Sequence, residues 1–385
     1  MLSLQNAPAL AQGSARSMDI DVSIRSAGMG GASNAVLWGR GLNHWANPAL
    51  LGAEHGIRWE WGRTQLVPDL ASDVVFESHV VKIAGGGLGL VSSGLPFGPG
   101  VRLGYGVSEG TDDSGNPTGT FESFERVESW GFGISAFEAV ETLAQLRDDD
   151  DEPGPLSRYV DFAFGMNFKD VKVSQYPGAS AGTTARDWGV AARFTPVDLR
   201  TDGGTAVRID ATIGVSVLNA NDDAWIDIFW NGAVSRHRRA GMGLHLAIDP
   251  RSGRHSDPDG GSWLEEGMSP LLSVGIAADR SRISAGPPEN GLGLYETEGA
   301  GVEVALANIL WGRAGHYTDR KGDIDDATWG WGIQLPLGRV AGIRYDGALF
   351  PQSNGLKSVQ RHGASIWLDP FELVRVLEKR RSAII

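Results

Sequence analysis

The sequence predicts an all-β protein, a single antiparallel barrel whose strands cross a membrane. Three observations carry that prediction. Along most of the chain, apolar residues alternate with small or polar ones at a period of two. The non-apolar face is rich in Gly and Ala rather than Lys, Glu and Thr. Aromatic residues gather near the ends of the alternating runs.

Composition sets the outer bounds. The 385 residues are 41% hydrophobic and include 54 Gly, 13 Trp, 13 Phe and no Cys. Glycine stands at about twice its usual share, without a collagen-like period. Many strands with one small-residue face account for it. Disulfides and thiolate metal sites are excluded. A net charge of −13 argues against nucleic acid as a partner. The longest uncharged window, Ile83 to Val101, carries Pro96 and Pro99 among many glycines and reads as a hairpin rather than a membrane helix.

At the start, Ala9-Leu10-Ala11 resembles a signal-peptidase site, although residues 1–11 lack a charged n-region. Residues 1–17 are therefore expected to be a signal-peptide remnant or an unstructured N-terminus. The stretch Ser26 to Leu51 follows. Its glycines at 28, 30, 31, 39 and 41 and the Asn47-Pro48 turn exclude a long helix or central strand. Its Met29, Val36, Leu37, Trp38, Trp45, Leu50 and Leu51 are too apolar for a solvated linker, so the stretch must pack inside something. Gly28-x-Gly30-x-x-Ser33 is a near miss for a dinucleotide-binding turn. Gly39, Gly41 and Pro48 deny it the helix that such a turn must open.

The motif Gly28, Gly30, Gly31, Ala32, followed by Asn47, Pro48, Ala49 and Leu50, resembles the N-terminal hatch of FadL-like outer-membrane barrels, and the PorV/PorQ branch most. The match covers residues 18–51. It implies a barrel of about fourteen strands with this hatch in its lumen. The chain then divides into a lumenal hatch (18–55), a transmembrane barrel (56–368) and a C-terminal helical tail (369–385).

The clearest two-faced strands lie at Val101–Ser108, Val160–Lys169, Val207–Val217 and Trp329–Leu335. Further candidates are 56–63, 74–84, 86–94, 128–137, 184–195, 236–248, 268–279, 298–307, 309–318, 338–347 and 359–368. That makes fifteen, one too many or too few for a closed bacterial barrel. Alternation alone does not say which face points inward. A soluble sandwich or propeller buries the apolar face, whereas a membrane barrel turns it to lipid. Strand lengths of nine to twelve residues, the Gly/Ala-rich second face and Trp59, Trp61, Trp130, Trp188, Trp311, Trp329 and Tyr345 as interfacial girdles favour the membrane arrangement. The soluble all-β binding protein is the competing reading.

Pro336-Leu337-Gly338 and Ala307-Asn308 read as tight periplasmic turns. Segments 108–127, 169–184, 218–236, 279–297, 317–327 and 347–358 read as extracellular loops. Phe137 to Leu146 is helix-like and falls on the periplasmic side by strand parity. Asp369-Pro370 caps a helix from Phe371 to Arg381.

No motif commands catalysis, and the chain is expected to be no enzyme, with no cofactor. There is no H-E-x-x-H and no G-x-S-x-G. The acidic run 148–152 lacks the spacing of a Ca²⁺ loop and reads as solvated. Asp319, Asp323, Asp325 and Asp326 form a second acidic loop around Gly322. His79 and His245 are expected as hydrogen-bonded lumen residues. Arg102, Asp161, Lys169, Arg193, Arg208, Asp210 and Glu303 are expected on the lumen face, as an ion-pair network pinning the hatch. Met29, Leu37, Trp38 and Trp45 are the candidate apolar ligand contacts.

Two functions follow from the resemblance. Likeness to FadL implies passage of hydrophobic small molecules across the outer membrane. Likeness to PorV implies docking of secreted cargo for type IX secretion. Either implies the lipid bilayer and lipopolysaccharide as partners and the cell outer membrane as location.

Overall fold

The structure is a computed structural model describing residues 15–376, except 40, 69–70, 95–97, 112–113, 115, 146–155, 177–178, 202–203, 222–224, 227–231, 251–269, 285–293, 354–355, 371 and 375. Residues 1–11 and the acidic run 148–152 lie outside the described residues.

Fourteen antiparallel wall positions follow one another in chain order. They are β1 (Gly56–Val67), β2 (Ala71–Gly85), β3 in two halves (Leu88–Ser93 and Val101–Thr111), β4 (Pro117–Ser135), β5 (Val160–Tyr176), β6 (Ala179–Arg200) and β7 (Ala206–Leu218). The wall continues with β8 (Arg236–Asp249), β9 (Leu272–Ser284), β10 (Tyr295–Leu306), β11 (Leu310–Asp319), β12 (Ile324–Leu337), β13 (Ala341–Phe350) and β14 (Val359–Leu368). β14 returns to β1 with Leu368 opposite Ile57 and Ala364 opposite Trp61, and the sheet closes on itself. Closure removes both sheet edges, which is how such a wall satisfies its backbone.

The parity problem resolves at β3. Leu88–Ser93 pairs with β2 at 81–85 and with β4 at 129–134. Val101–Thr111 pairs with β2 at 74–78 and with β4 farther out. Both runs are real strands, but they share one wall position, so fifteen runs make fourteen strands. Between them the backbone leaves the ladder through Gly94 (φ 126°), Gly98 (φ 141°) and Gly100 (φ 78°). Residues with a Cβ rarely adopt these angles, so the sequence itself forbids an unbroken strand here.

The apolar face points outward. Phe162, Phe164, Ile213 and Trp331 are 53%, 43%, 62% and 48% exposed, while Met29, Trp45 and Ala49 of the hatch are fully or almost fully buried. That excludes the soluble sandwich, which needs those outer side chains in a dry centre.

Several expected loops are strand. β3 and β4 occupy most of 108–127, β5 and β6 run on through 169–184, and β11 and β12 fill much of 317–327. The alternation persists there, but charged residues replace the apolar ones on the outer face, as in the Arg102–Glu122 and Arg126–Glu128 pairs. β6 has 22 residues. At about 3.3 Å per residue such a strand outruns the roughly 30 Å hydrocarbon core even when tilted. The wall therefore continues into water beyond its apolar band. A short strand pair, Trp225–Ile226 with Gly232–Ala233, stands within 218–236.

Helix α1 (Ile24–Gly28) belongs to the hatch, and helix α2 (Ala136–Gln145) fills the β4–β5 connection, as the sequence predicts for 137–146. After β14, residues 370, 372–374 and 376 are helical. Asp369 starts that turn, its carboxylate accepting from the Glu372 N–H at 3.1 Å.

Candidate functional site: the hatch and its seat

Each part of the hatch motif has a local job. The Ser23 hydroxyl accepts from the Ser26 N–H at 3.2 Å and caps α1. Gly30 and Gly31 turn the chain with φ of 69° and 79°, and the Gly30 N–H donates to Thr328 Oγ1 at 2.9 Å. Asn47 Oδ1 accepts from the Ala49 N–H at 3.1 Å and opens the 3₁₀ turn Pro48–Ala53. The Asn47 amide also donates to the Asn34 and Val190 carbonyls, at 2.9 and 3.1 Å. One side chain thus holds the hatch to itself and to β6.

The wall answers with glycine. A Cβ on Gly301 would stand 2.6 Å from Met29 Cα, and one on Gly28 would stand 2.9 Å from Gly330 Cα. The hatch backbone therefore lies directly on the wall backbone. This is why the inner face is rich in glycine: side chains there would occupy the space the hatch fills.

Buried charges complete the seat. Arg25 of α1 donates twice to Glu303 on β10, at 2.8 and 2.5 Å, and Arg313 on β11 bonds the same carboxylate at 2.7 Å. Arg313 continues to Asp346 at 2.9 Å, and Arg344 joins Asp346 at 2.7 Å. Asp279 accepts from the Ser33 and Asn34 N–H groups, both at 2.8 Å. Lys82 pairs with Glu54, and Lys169 with Asp187 at 2.8 Å. His44, in the hatch, is held well below the ordinary imidazole pKa by burial first and then by the Lys82 and Lys169 ammonium groups. It is neutral. Asp161, Lys169, Asp210 and Glu303 lie inside as predicted, with Arg193 and Arg208 beside Asp161 and Asp210.

The four predicted ligand contacts separate. Trp38 stacks on His245, ring centroids 5.3 Å apart, and packs in one cluster with Met29, Val36 and Ala277. Leu37 packs beside Ala49, Leu50, Ala163 and Ala191. Trp45 belongs to a third cluster, with the Lys169 ammonium 4.4 Å above its ring. A cavity of about 300 Å³ lies between the hatch and the wall, lined by Leu37, Trp38, Leu50, His245, Trp311 and Arg344 among others. Met29 and Trp45 do not reach it.

Three expected orientations are corrected. Trp311 points inward, stacked under the Arg344 guanidinium at 4.2 Å, because Gly312 rather than Trp311 takes the outer position. His79 shares the outer face with Val81 and Ile83, beside Trp59. Arg102 also faces outward, since Val101 and Leu103 are the buried residues of that half-strand. A bulge between Gly104 and Val107 then returns the apolar side to the exterior at Tyr105 and Val107.

That inversion exposes what the sequence reading missed. Phe76, Val80, Val91, Val101, Leu103 and Val127 all face inward around the break in β3 and pack with Met18, Val22 and Trp45. A dry apolar column thus stands in the lumen directly behind the interrupted strand. Its signal was present in β2, where Val74-Val75-Phe76 and Val80-Val81 place adjacent apolar residues on opposite faces, a pattern that simple alternation does not register.

Among the described residues no three His, Asp or Glu groups are placed to hold a metal. The second acidic loop is used locally. Asp319 accepts from the Lys321 and Gly322 N–H groups, and Asp325 meets His316 at 2.7 Å.

No protein-family model and no curated protein matches this chain. Among solved structures it is similar to a Pseudomonas aeruginosa FadL homologue, with a TM-score of 0.41 and 10% identity, over 90% of this chain and 98% of that one. It is similar also to the Pseudomonas putida toluene transporter TodX, with a TM-score of 0.38 and 11% identity, over 89% and 96% of the two chains.

Proposed function

We propose that this barrel lets small hydrophobic molecules pass the outer membrane of a Gram-negative cell. The observation that carries the reading is the apolar column packed against the break in β3. A hydrophobic solute gains free energy on leaving water for such a surface, about 25 cal/mol per Å² of apolar area buried. Among the described residues the break splits one wall position into two strands, so it offers a sideways route toward the bilayer that an unbroken ladder does not. Residues 15–22 and Trp45 fill the column, and passage requires the hatch to shift. The cavity beside Leu37 and Trp38, which His55 also lines, shares no lining residue with this column. No chemical step is involved, and the free-energy gradient of the solute alone drives the flow.

The test is influx of a hydrophobic dye into Gram-negative cells whose lipopolysaccharide layer is intact. Cells making this chain take up dye faster than cells making an unrelated closed barrel. Equal rates would end the transport reading.

A second reading is supported by the filled lumen: a plugged barrel whose outer end holds secreted cargo. The persistence of strand through 108–127 and 169–184 leaves less loop surface for that role than the sequence implies. Co-isolation of a defined secreted protein with unchanged dye influx would favour it.

A further inference from the structure

Helix α2 carries its polarity the wrong way round for a soluble connection. Glu138, on one face, accepts from His55 and from the Gly87 N–H, at 2.8 and 3.1 Å. Glu141 on the same side accepts from the Ser157 N–H at 2.8 Å, and Thr142 packs on Gly86. The polar face is therefore used up against the protein. Val140 and Leu143, three residues apart on the other face, are 64% and 62% exposed. Leu156 and Tyr159, just before β5, are exposed beside them at 65% and 49%.

This apolar face is continuous with the outer wall. Phe137 opens the same stripe and meets Phe162 edge to face, ring centroids 5.8 Å apart, and Phe162 belongs to the outward apolar band. An amphipathic helix in water turns its polar side out and its apolar side to the protein. Here both are reversed, and the exposed side prolongs a surface already facing hydrocarbon.

We propose that α2, with Leu156 and Tyr159, is an interfacial helix lying in the membrane leaflet at the His55 end of the barrel, its apolar face seated among phospholipid acyl chains. The inference rests on the reading of the wall as membrane-spanning. The occupant is lipid rather than a protein because the patch merges, through the Phe137–Phe162 contact, with the lipid-facing band. Buried apolar area sets the strength of such seating. The same helix meets His55, the last residue of the hatch segment, through Glu138.

The chain has no cysteine, which makes single-cysteine labelling clean. The full chain is refolded into phosphatidylcholine vesicles carrying nitroxide-labelled lipid, with an environment-sensitive fluorophore at Val140→Cys, Leu143→Cys, Ile213→Cys or Thr120→Cys. Labels at 140, 143 and 213 are expected to be blue-shifted and quenched severalfold more than the label at 120. Quenching at 213 with water-like emission at 140 and 143 overturns the proposal and leaves the barrel reading intact. Water-like emission at 213 as well overturns the membrane reading itself.

Discussion

Arg25 on the hatch and Glu303 on β10 meet in a two-pronged ion pair, buried on both sides and 278 residues apart in sequence. Neither charge has water to return to, so the pair locks the hatch in one position. Breaking such a pair from one side costs about 3–5 kcal/mol. Arg313 stays on Glu303 and moderates the loss. Arg25→Met is expected to leave the wall folded, with unchanged heat-modifiable gel migration, and to raise ionic conductance in planar bilayers. Wild-type conductance in the variant would show that the pair does not hold the hatch.

The backbone-on-backbone contact predicts a second result. Gly301→Val puts methyl groups where Met29 Cα stands, 2.6 Å from the new Cβ. The wall can keep its ladder, whereas the hatch must move. The variant is expected to form a barrel whose residues 24–49 become open to protease, where the wild type is protected. Full protection would contradict the seat described above.

A covalent lock tests motion. Ser216 Oγ donates to the Ala46 carbonyl at 2.7 Å, so Ala46→Cys with Ser216→Cys places two thiols across the hatch–wall contact. Under oxidation the pair is expected to suppress dye influx, and dithiothreitol to restore it. Influx that ignores the redox state would mean that solutes do not pass by hatch movement.

Trp38 fills the space above Gly243 and Gly275 and stacks on His245. Trp38→Ala is expected to lower unfolding stability by about 3–5 kcal/mol, the usual cost of emptying a buried aromatic site. Trp38→Phe should recover much of it. Denaturant unfolding in detergent measures both.

His55 supplies a pH dependence. Its hydrogen bond to Glu138 raises its pKa above the ordinary imidazole value, more than burial lowers it. A group whose folded pKa is raised stabilises the fold fully below its unfolded pKa, about 6.5, and that contribution fades as pH climbs through the folded value. The pair is half-exposed, so the effect lies within about 1 kcal/mol. The wild type is expected to lose slightly more stability than His55→Gln as pH rises above about 6.5, read as a difference in melting temperature. Parallel curves would remove the pair from the account.

The wall was legible because a period-two pattern survives wherever one face meets a uniform solvent. Val160 to Phe168 and Trp329 to Leu335 read correctly for that reason. The strand ends did not, because Arg126 and Lys172 alternate as faithfully as Phe164 and Met166 while their outer faces meet water instead of lipid. The placing of the candidate ligand contacts was only half legible. Met29, Leu37, Trp38 and Trp45 are close in sequence and apolar, yet they pack into three separate clusters, since a folded-back segment sends neighbouring side chains to different walls.

The sequence by itself determined the two-faced strands, the turn glycines of the hatch and the break at Gly94–Gly100, because each depends on local backbone geometry or on alternation. Tertiary structure alone decided that two runs share one wall position, that Val101 and Leu103 turn inward, and that an arginine near the start meets a glutamate near the end. Those outcomes come from closing the sheet around its own N-terminal segment, and closure brings together residues whose spacing along the chain carries no trace of the contact.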